Sequence, residues 1–219
     1  MTNTARSLLF LFLLLAGSAG CSLNRNAHLA PTPDVEMDAR VLAKFEHEIS
    51  EYIEEHRDLV KRIPSVGPGA TAQQIDAHRA KMTNAIREER KHARQGDIFK
   101  PEVEAAFRRI LTRELAGPAR GPLLNGIRQG NPAVEAVPNQ TDPAKTHTAS
   151  VRVAVNVAYN EDAPVSSMPP TLLLKLPQLP EQVTYRFVGR DLILSDTEAN
   201  VILDFIKDAV SDRSLPRQP

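Results

Sequence analysis

The sequence predicts an α+β protein: an N-terminal helical hairpin plus a third helix, then a small C-terminal antiparallel β-meander. Three observations carry this. Apolar residues recur at steps of three and four between residues 35 and 116, and they alternate or gather in short β-rich runs after residue 149. A stretch rich in Gly, Pro, Asn and Thr, residues 117–148, separates the two regimes and reads as a linker.

The first helix is expected over Val35–Ile63, with Leu42, Phe45, Ile49, Tyr52, His56, Leu59 and Ile63 on one face and acids such as Glu46, Glu51 and Glu55 elsewhere. Pro64 and the Gly-Pro-Gly that follows end it. A second helix, about Ala72 to Arg94, carries a weaker stripe of Ile75, His78, Met82, Ala85 and Ile86. One helix is net acidic and the other net basic, which suits an antiparallel pair. The third helix is the best signalled: Pro101 at its start, Glu102 and Glu104 in its first turn, Val103, Phe107, Ile110, Leu111 and Leu115 as its stripe, and Gly117-Pro118 after it. A short helix around Leu123–Arg128 fits inside the linker.

Residues 149–210 form the expected β unit. Val151, Val153, Val155 and Val157 alternate with other residues as in a half-buried strand. Leu172-Leu173-Leu174 suits a strand or a short helix. Runs at 184–188, 191–195 and 201–206 make the meander, with Gly189 at its first turn; the last run favours strand over helix. Residues 211–219 read as a disordered tail.

The front of the chain carries a different message. Arg6, the apolar run Leu8–Leu15 and the small residues Ala16–Gly20 match a secretory signal over residues 1–20. The run is too short to span a bilayer. Cys21 is the one cysteine of the chain, so no internal disulfide exists. Ala19-Gly20-Cys21 resembles the end of a bacterial lipobox, which implies an acylated N-terminal cysteine; Ser18 departs from the usual Leu and leaves ordinary cleavage after Ser18 or Ala19 open. Residues 21–34 then read as a tether with two prolines, Pro31 and Pro33. Ser22 follows the cysteine where an inner-membrane retention signal has Asp, so the resemblance implies an outer-membrane anchor facing the periplasm, with a soluble periplasmic or secreted form as the alternative.

Lys+Arg and Asp+Glu both number 27, which gives no electrostatic case for a nucleic-acid partner. Tryptophan is absent and aromatics make up 5%, against a stacking platform for sugars or single strands. No Ser sits in a strand-turn-helix elbow, and the prolines of Gly117-Pro-Ala-Arg-Gly121-Pro remove the amides a phosphate loop needs. Asp191, Asp196 and Asp204 read as turn and edge residues of the meander. Histidine is the suggestive type. His47, His56, His78 and His92 all lie in the hairpin, and folding it about residue 67 brings His56 level with His78. That pair is a candidate half-site for a metal, with an acid such as Glu55 as a further ligand, or simply a pair of boundary residues.

The stretch Leu179–Ile206, with Tyr185, Gly189, Asp191, Asp196 and Asp204, resembles the C-terminal signature of uncharacterised bacterial exported proteins, as does the block Gln95-Gly96-Asp97-Ile98-Phe99 to Leu115. The spacing from Tyr185 to Ile206 is also similar to the small β-module of RcnB-type periplasmic proteins, which implies a link to nickel and cobalt. The expectation is therefore a non-enzymatic envelope lipoprotein with no cofactor, held by a lipid anchor and meeting another envelope protein. The alternative is a weak metal-binding or metal-responsive periplasmic protein, using His56 and His78.

Overall fold

The computed structural model describes residues 33–129, 131, 133–134, 150–159, 163–166 and 168–211. The leader, Cys21, the tether up to residue 32, residues 130, 132, 135–149, 160–162 and 167, and the tail from residue 212 lie outside the described residues. The architecture is α+β, with helices before a three-stranded antiparallel sheet.

Four helices come first: α1 (Pro33–Arg62), α2 (Ala72–Glu89), α3 (Pro101–Ala116) and α4 (Arg120–Arg128). α1 opens at Pro33, inside the stretch expected as tether, because proline suits the first helical turn. α2 is fixed at its start by a reciprocal cap, in which the Gln74 amide donates to Thr71 Oγ1 and the Thr71 amide to Gln74 Oε1. It ends at Glu89, short of the expected Arg94. α3 matches its signals, with Pro101 in the first turn and all five stripe residues buried. α4 falls where the short helix was expected within the linker, and it buries Leu123, Leu124 and Ile127 in the same core as the other helices.

The β part has a two-residue parallel pair, β1 (Ala133–Val134) with β2 (Ser150–Val151), then a one-turn helix α5 (Pro170–Leu173), and then β3 (Val183–Val188), β4 (Asp191–Asp196) and β5 (Ile202–Ile206) in meander order. Leu172–Leu174 is therefore a helical turn rather than a strand, and the last run is the strand the sequence favours. The turn of β3 into β4 uses Gly189 at φ +61°.

The strand expected over Val151–Val157 is the main departure. Its extended part stops at Val151, and Asn156 takes a left-handed φ of 65°. The side-chain amide of Asn156 donates to the carbonyls of Arg87 and Arg90 at the end of α2, at 2.9 and 2.8 Å. A capping duty for α2 thus overrides the alternating pattern. Beyond it, residues 156–159 run beside β5, with the Ile202 amide donating to the Val157 carbonyl and the Tyr159 amide to Asn200.

Every residue of β4 is buried, because both faces of the sheet are covered. One face, with Tyr185, Phe187, Leu192 and Leu194, meets the helices. The other, with Val188, Ile193 and Ile202, is covered by Val151, Val153, Tyr159 and Ala163. The helical side is centred on an aromatic group. Phe45 of α1, Phe99 before α3 and Phe107 of α3 lie 5.2–5.5 Å apart by ring centroids, and Tyr185 of β3 lies 5.8 Å from Phe107. The charges of α1 turn toward α3: Lys100 meets Glu48, Lys44 lies 3.6 Å from Glu102, and Arg109 binds Asp38.

Phe107→Ala should cost about 3–5 kcal/mol in chemical denaturation, since the ring is wholly buried among three aromatics. Ile75→Ala should stay within about 0.5 kcal/mol, because Ile75 is 42% exposed despite its place in the stripe.

Candidate functional site: two buried carboxylates between helices and sheet

The helical layer and the sheet are joined through side chains of β4, β5 and the turn between them. β4 ends at Asp196, and its carboxylate is completely buried. Asp196 Oδ1 accepts the amides of Glu198 and Ala199 at 2.9 and 2.6 Å, which closes the turn into β5. Its Oδ2 accepts the Tyr52 hydroxyl of α1 at 2.7 Å. Burial pushes the Tyr52 hydroxyl far above the usual phenol range, and the Asp196 charge adds to this, so the group stays a donor.

His56, one turn further along α1, brings Nε2 to 3.3 Å from Asp196 Oδ2 and 3.6 Å from Glu198 Oε2. The contact is within ion-pair reach but off hydrogen-bond geometry, and the buried Nε2 has no hydrogen-bond partner. His78 of α2 places Nε2 3.1 Å from Glu198 Oε1 and Nδ1 3.1 Å from the Pro64 carbonyl. Both neighbours of that ring are acceptors. A neutral imidazole donates from one nitrogen only, so each tautomer makes one of the two contacts. The expected meeting of His56 and His78 thus takes place on a shared carboxylate, Glu198. The acid is not Glu55, whose side chain is exposed. Tyr52, Asp196 and Glu198 were not among the candidate partners, and only the Asp at the second meander turn marked the place in sequence. Among the described residues, no group of three or more His, Cys, Asp or Glu side chains is placed to hold a metal ion.

The second node is Asp204. The register sets it opposite Leu194, on the face toward the helices. Its carboxylate is fully buried and receives the amides of Gly96 at 3.0 Å, Ile98 at 2.9 Å and Phe99 at 2.7 Å, with that of Phe205 at 2.8 Å. Burial pushes its carboxyl above the usual range, and the amides of Gly96, Phe99, Phe205 and Ile98 pull it back. Gly96 takes φ +90°, which lets the chain wrap the carboxylate. Asp204 therefore joins the two sequence blocks 95–115 and 179–206. Asp191 is the third member of the set: Oδ1 accepts the Asp208 amide at 2.7 Å, and burial raises its carboxyl against that bond.

α2 and its C-terminal cap add side-chain ties to the same turn and strand. Thr83 Oγ1 donates to the Ala199 carbonyl at 2.6 Å, and Arg90 donates to the Leu203 carbonyl while lying 5.4 Å over the Tyr52 ring. Of the remaining histidines, His47 lies 3.4 Å from Glu51 on the exposed side of α1, and His92 is exposed. Among the described histidines, only His56 and His78 are brought together. Among the described residues no helix is long and apolar enough to cross a membrane. Compared with protein-family models, with curated proteins and with solved structures, the chain matches none.

Asp204→Ala should destabilise the protein by about 3 kcal/mol or more, because it leaves several buried amides without an acceptor. Asp97→Ala removes a comparable bond, from the Arg94 amide, but at an exposed loop, and should cost about 1 kcal/mol. Urea melts of both variants read the difference.

Proposed function

We propose that the chain is a lipid-anchored protein of the bacterial cell envelope, non-enzymatic, whose α+β body serves as an interaction or structural module. The single observation that carries this is the front of the sequence: an apolar run of export length, small residues, and a lone Cys21 followed by a proline-containing tether. The site chemistry supports it. Asp196 and Asp204 have their lone pairs taken by amides and the Tyr52 hydroxyl, so these carboxylates brace the fold. Their burial leaves them remote from a diffusing substrate.

An acylated cysteine bearing several chains gives stable anchoring. The outer membrane, with the body facing the periplasm, is the location we assign, and the partner is another envelope protein rather than nucleic acid. The likeness of residues 95–115 and 179–206 to exported proteins supports the same setting.

Metabolic labelling with a fatty-acid analogue should mark the wild-type protein in the membrane fraction and leave Cys21→Ala unmarked and released. Equal labelling of the two, or an intact leader on a cytosolic protein, overturns the reading. A photo-crosslinker at Leu174, which is 81% exposed, reports whether an envelope protein lies against the body.

A second reading, a weak metal-binding or metal-responsive periplasmic protein, is favoured by one observation. His56 Nε2 is buried without a hydrogen-bond partner, with Asp196 and Glu198 beside it and His78 on the far oxygen of Glu198. It requires the four side chains to rearrange around an ion. Calorimetric titration with Ni²⁺, Co²⁺ and Zn²⁺ tests it: that reading expects binding that His56→Ala and His78→Ala both abolish, and titrations without heat dismiss it.

A further inference from the structure

The segment 169–180 hangs on the body by two of its leucines. Leu172 and Leu176 are four apart, share one face of the α5 turn and are buried in the helix-side core. Pro169 packs on α4 so closely that a Cβ at Gly126 would lie 2.9 Å from its Cγ. At the far end, the Tyr185 hydroxyl donates to the Pro177 carbonyl at 3.3 Å. With both ends of the turn fixed, Leu173 and Leu174 are left on the outside, 45% and 81% exposed. Leu174 is the most exposed large apolar side chain among the described residues. Single exposed leucines are common on protein surfaces, whereas two in succession on a fixed turn make a patch. Beside the pair opens a hollow of about 350 Å³ with a largely apolar wall that includes Leu176, Leu179, Val183 and Tyr185.

Charge and reach determine what meets this tip. Lys175 is exposed next to the leucines and is the one charged residue between Pro169 and Pro180. An apolar pair with an adjoining cation matches the boundary of a bilayer, where leucine enters the acyl layer and lysine stays level with the lipid phosphates. Eleven residues separate Cys21 from Pro33, the start of α1. At full stretch they reach about 40 Å, somewhat more than the width of a small domain. A body on so short a lead meets the leaflet at high effective concentration, so a small contact is enough to hold one face against it.

We infer that the Leu173–Leu174 tip is a second, non-covalent membrane contact that docks the body on the leaflet carrying its anchor. The tip takes the boundary between head groups and acyl chains, with Lys175 on the phosphates, and the hollow beside the leucines receives part of an acyl chain. The inference deepens the anchored reading and rests on it for the tether that keeps the tip near lipid. The envelope partner then meets another face of the body.

For the test, the full chain is produced in bacterial cells, purified from their membranes and reconstituted in vesicles of phosphatidylethanolamine and phosphatidylglycerol that carry a nitroxide near the top of the acyl chain. An acylated Cys21 leaves the wild type without a free thiol. A fluorescent thiol label then marks only Leu174→Cys, or Glu88→Cys as a control at an exposed position of α2. The label at 174 should be quenched about twofold or more relative to that at 88, because an interfacial contact sits within the nitroxide's depth. Leu173→Asp should remove the difference with the melting transition retained. Should Leu173→Asp fail to fold, Lys175→Glu, at an exposed position, carries the comparison. Labelling of the wild type itself marks failure of the anchored reading. The same two positions are then compared in a Cys21→Ala background mixed with preformed vesicles, where greater quenching at 174 upholds the tip and equal quenching ends it. With the anchor present, equal quenching at the two positions overturns the inference. So does a label at 174 that is shielded from water yet out of the nitroxide's reach, the sign of protein or a second copy on the leucines.

Discussion

A carboxylate buried among backbone amides is the constraint on which this fold turns. Asp204 accepts from Gly96, Ile98 and Phe99, residues more than a hundred positions away, and holds the segment that leads into α3 against the sheet. Phe99, placed by that bond, stacks on Phe45 and meets Phe107 edge-on. Position and packing are thereby coupled. The hydrogen bonds set where the loop lies, and the apolar burial around it supplies most of the stabilisation. Desolvating the charge is costly, and several amide donors together offset that cost where a single partner would leave a deficit.

Asp196 does for α1 and α2 what Asp204 does for α3. It gathers the Tyr52 hydroxyl and two turn amides, and its neighbour Glu198 reaches both helices through His56 and His78. α2 has a narrow apolar stripe, with only Met82 and Ile86 buried, so polar ties to Ala199, Leu203 and Asn156 make up the difference. A helix with a thin apolar face is held by its ends and by specific bonds. That also explains why its last turn stops where Asn156 caps it.

The helical half was legible because a 3.6-residue period survives in the sequence wherever one face is buried, and Pro101 and Gly117 marked the ends of α3. The meander was legible from its turns. What the sequence concealed is long-range polar pairing. An aspartate in a turn looks the same whether water or a distant hydroxyl completes it, so nothing near Asp196 announced Tyr52. The Val151–Val157 pattern misled because alternation records which residues are covered, and Asn156 was needed elsewhere. His56 and His78 were found by counting along an antiparallel pair, which locates level positions but says nothing of the glutamate that joins them.

The Asp204 bonds also order events in time. A chain emerges from a ribosome or a pore with its N-terminus leading, and the helices come out before the strand that carries the carboxylate. Until residues 202–206 are free, the loop that carries Phe99 has no Asp204 to brace it, and Phe45 and Phe107 have no fixed Phe99 to settle against. Closing a contact of such sequence separation is slow relative to forming helices. The molecule is thus built to remain pliable through most of its synthesis and to lock only at the last strand.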